Sequence, residues 1–199
     1  IQPLTHEAFA PFGRFYPMEQ PQGYALCGEL HRFFPDRLSA DSQHRVGFSP
    51  ILVKKPERML ITQQEYHTTT WEMILPMNDD MILHCAPASA GTPVTELAQA
   101  FLVPKHTLVK LNAAIWHLAP LPAQAEELAA MIILPECTYA NDCTVVDLTP
   151  EQQFEVVIPI AGEHNVYNAL AAVCVARRLG LDAEEMKLGI EHAHTIGGG

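Results

Sequence analysis

The sequence predicts a mainly β protein, a sandwich or barrel of antiparallel strands, followed by a short C-terminal helical hairpin. Three observations predict it. Residues 47–147 hold a series of short apolar segments split by turn signals such as Lys55-Pro56-Glu57, Asn78-Asp79-Asp80 and Ala90-Gly91-Thr92-Pro93. Helical stretches hardly intervene there, which argues against a parallel, doubly wound sheet. From about residue 150 the pattern changes, and residues 164–179 run without Gly or Pro and are rich in Ala. The chain has 199 residues, 48% of them hydrophobic and 18% charged, a globular balance that can bury a core without disulfides.

Taken in order, Thr5 is placed to cap a turn of helix over residues 5–12, which Pro11 stops. Residues 22–46, with Gly23, Gly28 and Pro35, show no period. Strands are predicted at Gly47–Lys54, Met59–Gln64, Glu72–Pro76, Met81–Ala86, Ala100–Pro104, Thr107–Leu111, Ile115–Ala119 and Ala129–Leu134. Short alternating strands of this kind bury their inner faces only against one another. Beyond them, His164–Leu179 is predicted as a helix, with Val166, Leu170, Val173 and Leu179 near one face and Gly180 as its stop. Asp182 with Glu185 opens a second helix. The division expected is a β domain over 1–155 and a helical appendage over 156–199.

Charge excludes some partners. The net charge is −11, from 23 acidic and 12 basic residues, and no stretch is dominated by Lys or Arg. Neither nucleic acid nor an anionic membrane surface is expected as a partner. The longest apolar runs, such as Ala129–Leu134, are too short to span a bilayer. The opening Ile1-Gln2-Pro3-Leu4-Thr5 does not read as a signal peptide, and the initiating Met is expected to have been removed or left out. Five cysteines, at 27, 85, 137, 143 and 174, include no C-x-x-C pair and read as reduced thiols in a cytoplasmic protein.

Two stretches carry residues suited to chemistry: Glu65-Tyr66-His67 through Glu72 to Met77, and Phe101-Leu102-Val103-Pro104 followed by Ile115-Trp116-His117. A His, an acid five residues later and a second His some fifty residues on can meet inside a small barrel. Imidazole and carboxylate suit a divalent metal. The same trio suits general acid–base work without one. A single His on a strand is more often scaffold than ligand, and Trp116 reads readily as core.

These stretches also carry a resemblance. Pro3-Leu4-Thr5-His6-Glu7-Ala8-Phe9-Ala10-Pro11-Phe12-Gly13 resembles the start of the ureidoglycolate lyase family. Glu65-x-His67 with Ile74-Leu75-Pro76-Met77 resembles that family's central strand pair. Phe101-Leu102-Val103-Pro104 and Trp116-His117 resemble its late strands, and the likeness spans residues 3–147. The resemblance implies a cupin, that is, a double-stranded β-helix or jelly-roll barrel, acting as a homodimer. It implies cleavage of a carbon–nitrogen bond in ureidoglycolate, releasing urea and glyoxylate during allantoin breakdown. Under it, His67, Glu72 and His117 become ligands of a divalent metal (nickel, zinc or manganese) or the acid–base groups. Lys110 and Trp116 become substrate contacts, with Lys105 a further candidate for an anion.

The departures bear on substrate more than on fold. Where the family carries a Tyr-His-Arg run, this chain has Leu111-Asn112-Ala113, so an arginine suited to a carboxylate is missing. Leu118 follows His117 where the family often has a second His, and His106 stands in the Pro104-Lys105-His106 turn where Gly is usual. Glu72 replaces an amide and makes the trio look more like a metal site. The rival readings are a non-catalytic cupin that binds a metal or small ligand, and a cupin sugar isomerase.

A second resemblance lies in the tail. Ile158-Pro159-Ile160-Ala161-Gly162-Glu163-His164-Asn165-Val166-Tyr167-Asn168-Ala169-Leu170-Ala171-Ala172 is similar to part of the central domain of the Mur ligases. No Gly-x-x-x-x-Gly-Lys-[Ser/Thr] loop occurs in the chain, so the tail is expected to be a fragment that binds no nucleotide.

Overall fold

A computed structural model of the chain describes residues 1–156. The elements are β1 (Gln2–Pro3), α1 (His6–Phe9), β2 (Gly13–Pro17), β3 (Leu26–Cys27), β4 (Arg32–Phe33), β5 (Val46–Lys54), β6 (Leu60–Ile61), β7 (Gln63–Tyr66), β8 (Glu72–Pro76), β9 (Met81–Cys85), β10 (Gln99–Val103), β11 (Thr107–Leu111), β12 (Leu121–Pro122), β13 (Glu127–Pro135), α2 (Thr138–Asn141), β14 (Thr144–Asp147) and β15 (Phe154–Glu155). The fold is mainly β. The helical hairpin expected over 164–179 and from Asp182 lies outside the described residues.

Two antiparallel sheets dominate, one ordered β2-β11-β8-β13-β5 and the other β10-β9-β12 with β1 added in parallel at its edge. Alternation along each strand sends every second side chain to one face. The inner faces meet in a single core: Ile74, Val109, Leu111, Leu128 and Ala130 come from the first sheet, and Met81, Leu83, Phe101 and Val103 from the second. Phe9 on α1 and Phe12 close one end of it and pack edge-on against Phe101. Thr5 caps α1 by accepting from the Ala8 amide, as the sequence predicts. None of the helices among the described residues is long and apolar enough to cross a membrane.

Two predicted strands come out differently. Met59–Gln64 divides at Thr62: β6 pairs with β15, whereas β7 pairs with β14. Ile115–Ala119 is not a strand but two isolated bridges, Trp116 with Ala86 and His117 with Glu65. Ala114, just before it, sits at φ 65°.

Candidate metal centre

Three elements place the trio. Glu72 opens β8 opposite Leu111 on β11 and shares the inward face with Ile74. His67 follows directly on β7. His117 is locked to the same strand by a pair of backbone bonds, Glu65 N–H to the His117 carbonyl at 2.6 Å and His117 N–H to the Glu65 carbonyl at 2.8 Å. The Ala114 amide donates to the His67 carbonyl at 2.7 Å, so the turn after β11 holds both histidine-bearing segments together.

The side chains converge. His67 Nε2 lies 2.9 Å from Glu72 Oε2, and His117 Nε2 lies 3.3 Å from the same oxygen. One ligand atom from each residue lies within 4.8 Å of the others. The exposures are 4%, 6% and 2% for His67, Glu72 and His117. Each ring is pinned from behind: His67 Nδ1 lies 2.8 Å from the Asp142 carbonyl, and His117 Nδ1 2.8 Å from the Ile115 carbonyl. A carbonyl oxygen only accepts, so both Nδ1 atoms carry hydrogen and donate. Each ring then turns its Nε2 towards one carboxylate oxygen. A nitrogen and a carboxylate oxygen at these distances share a proton or a cation between them. Two imidazole nitrogens with fixed tautomers and one carboxylate form a donor set that fits a divalent ion.

The electrostatics follow from this geometry. Burial raises Glu72, but hydrogen bonds from His117 and His67, and their charge, outweigh it and hold the carboxyl at about 2. Burial lowers His117, yet the hydrogen bond and charge of Glu72 raise it above the usual histidine value. Glu65, half-buried, places Oε1 4.0 Å from His117 Nε2 and accepts from the Cys143 thiol at 3.4 Å. Burial and the Glu65 charge raise that thiol to about 11, which keeps it protonated and unreactive near neutral pH.

Comparison with known proteins places the chain. Residues 1–156 match the family model described as ureidoglycolate lyase. The chain belongs to the ureidoglycolate lyase family. It is 34% identical over 133 residues to the ureidoglycolate lyase of Rhodobacter capsulatus, a match covering 62% of this chain and 79% of that protein. A further match, 37% identical over 51 residues, is to the UDP-N-acetylmuramoyl-tripeptide–D-alanyl-D-alanine ligase of Haemophilus influenzae, covering 26% of this chain but only 11% of that protein. The chain therefore spans about a tenth of the length of this Mur ligase. Among solved structures, one of oxalate decarboxylase aligns over 76% of this chain and 32% of its own, at 15% identity and a TM-score of 0.38, too slight to carry an argument.

Within this lyase-family fold the remaining predicted residues make their hydrogen bonds to groups other than the trio. Lys110 projects from the opposite face of β11 to Val109 and Leu111, and its ammonium donates to the Ser39 carbonyl at 2.8 Å. Trp116 is fully buried, donates its indole N–H to Ser89 Oγ at 2.8 Å and packs against the Tyr66 ring. Lys105 is exposed, and its backbone amide donates to Asp80. Surface clefts of about 620 and 570 Å³ are lined by other residues, among them Arg32 and Phe34 in the first and Arg14, Tyr16 and Arg37 in the second. Sequence reasoning gave Glu65 no role and missed Asp142 altogether. The Glu65-x-His67 spacing could have flagged Glu65, but nothing local marks Asp142, which meets His67 across 75 positions.

Proposed function

We propose that the chain is a metal-dependent cupin of the ureidoglycolate lyase type, acting on a small hydroxy acid or ureide and cleaving its carbon–nitrogen bond. One observation carries this reading: the Nε2 atoms of His67 and His117 converge on a single Glu72 oxygen in the interior. His67, Glu72 and His117 would hold the ion. A divalent ion there supplies stabilisation of negative charge developing on a substrate oxygen. For a carbinolamide such as ureidoglycolate, the hydroxyl proton leaves to a base, the carbon–nitrogen electron pair departs with the urea nitrogen, and that nitrogen takes a proton. Burial of the trio excludes water from the centre, and the half-buried Glu65 lies beside it, 4.0 Å from His117 Nε2.

A second reading is a binding cupin without turnover, and the missing anchor favours it. The family's arginine is replaced by Ala113, Lys110 is engaged with Ser39, and no Lys or Arg pairs with the trio among the described residues. A lost charge-assisted hydrogen bond is worth about 1.5–3 kcal/mol, or roughly 10–150-fold in binding. Weak lyase activity is therefore expected. We also propose a homodimer in the cytoplasm, without nucleotide.

Glyoxylate release from ureidoglycolate, measured against spontaneous decay, tests the first reading. Slow release that stops on chelation and in His117→Ala supports it. Bound metal with no release above decay supports the second reading. Turnover near an ordinary enzyme rate of about 10 per second would show that another residue holds the carboxylate.

A further inference from the structure

The two histidines are held from behind by different means. The Ile115 carbonyl that fixes His117 lies two residues away on the same segment. The carbonyl that fixes His67 comes from Asp142, on the far side of β8 to β13 in sequence. Something must hold Asp142 against His67, because an unanchored loop would lose that bond to side-chain and backbone freedom.

The Asp142 side chain supplies the anchor. Its Oδ1 accepts from the Thr68 amide at 2.8 Å. Its Oδ2 accepts from the Thr69 amide at 3.0 Å, the Thr69 hydroxyl at 3.0 Å and the Thr70 hydroxyl at 2.6 Å. All four donors belong to the three residues that follow His67. The Asp142 amide in turn donates to the Thr138 carbonyl at 2.8 Å, which ties it to the end of α2. Burial works against the charged carboxylate, but the Thr70 hydroxyl and the Thr69 and Thr68 amides hold it ionised, at about 2. A carboxylate with four donors has no easy replacement, since an amide in its place turns N–H groups towards those donors.

We propose that Asp142 is the positioning residue of the centre: its carboxylate clamps the 68–70 loop so that its own carbonyl fixes the His67 ring with Nε2 aimed at Glu72. It touches neither substrate nor ion and acts only through His67. The proposal deepens the metal reading, but its core claim concerns the His67 ring and stands apart from metal.

The experiment therefore has two arms. In the metal-free protein, the His67 Nδ1–H should give a slowly exchanging, hydrogen-bonded proton signal in nitrogen-edited NMR. Asp142→Asn should abolish it, while the corresponding His117 signal persists. In the second arm, zinc is titrated into the folded protein against a chromophoric chelator. Asp142→Asn should weaken zinc binding roughly 10–100-fold, the usual effect of disturbing a ligand's hydrogen-bond partner. The double variant His67→Ala/Asp142→Asn should bind no more weakly than His67→Ala, because both substitutions remove one function.

Retention of the His67 signal in Asp142→Asn overturns the proposal, as does a zinc loss that adds in full to that of His67→Ala. If the wild-type chain takes no zinc, the metal reading falls and the ring signal alone decides the positioning role. If Asp142→Asn does not fold, Thr70→Val removes one of the four donors and should weaken the same signal. An unchanged signal in that variant overturns the proposal.

Discussion

At the scale of the residue, polar groups inside the β-sandwich decide how the chain answers to pH. His84 is buried on β9, packs edge-on against Phe154, and has no hydrogen-bond partner at Nε2. Burial, with a smaller contribution from the His117 charge, lowers it to about 3. Between pH 3 and 6.5 the unfolded chain therefore binds a proton at this position that the folded chain does not. Stability contributed by the neutral ring is full above 6.5 and is lost as the pH falls, at up to roughly 1.4 kcal/mol per pH unit for one group. Glu72 adds the same sign below its ordinary value of 4.5. His117, raised, has the opposite sign, and its share is lost as the pH rises through its folded value. His84→Leu removes a titrating group without breaking a bond at Nε2. Denaturant unfolding of the chelated protein should show a shallower loss between pH 6.5 and 4.5 in His84→Leu than in wild type. Equal slopes would mean that His84 is protonated at little cost in the fold.

At the scale of the element, the strands most legible in the sequence are those bounded by turn residues on both sides. Glu72–Pro76 and Thr107–Leu111 emerge with the predicted limits. They lie between polar turns, and their apolar faces leave one register. The division of Met59–Gln64 was not legible, because it depends on β14 and β15, which reach back from beyond residue 140. Local pattern carries no record of such pairing. The turn at Pro104-Lys105-His106 shows a similar limit: His106 sits at φ 62°, and its ring meets Glu19 Oε2 at 2.9 Å and the Met77 carbonyl at 3.0 Å. Side-chain bonds there offset a backbone cost that Gly would avoid. In the centre, the histidines and Glu72 were legible as residue types suited to a metal. Asp142 was not, since its role exists only once α2 has brought it to the 68–70 loop. Gly13 is one position where an element depends on a missing side chain. A Cβ there would meet the carbonyl of Lys110, on the neighbouring strand β11, well inside contact distance. Gly13→Ala should cost about 1–3 kcal/mol through forced separation of the strands. Thermal unfolding should fall by about 2–4 °C per kcal/mol. An unchanged midpoint would show that β2 shifts freely against β11.

At the scale of the whole molecule, the outer face of β5 and β13 presents apolar side chains that stay exposed among the described residues. On β5, Val46, Phe48, Pro50 and Leu52 point away from the core, with Phe48 and Leu52 exposed by 68% and 64%. Their register partners on β13 are Pro135, Ile133, Met131 and Ala129, and the next strand, β8, adds Leu75, whereas Pro135 and Met73 on the same face are buried. Along β5 and β13 no charge interrupts this face until the Lys54–Glu127 register pair, and on the far side of β8 it ends at Lys110. Strand rise and spacing make it roughly 30 Å by 15 Å. That flat area is an upper bound on what this face gives towards the ~800 Å² that each partner gives to a stable interface. A chain of net charge −11 repels its own copies almost everywhere else, so an uncharged sheet face is where two copies can meet. The occupant proposed is therefore a second copy, in the homodimer that the family resemblance implies. A two-fold contact uses the same patch twice, so each substitution counts twice. Phe48→Glu should convert a dimer into a monomer in analytical ultracentrifugation. Its metal content should be unchanged, because Phe48 and the centre lie on opposite faces of the sheet. A wild-type chain that sediments as a monomer at high concentration, or a Phe48→Glu variant that remains dimeric, removes this face as the interface.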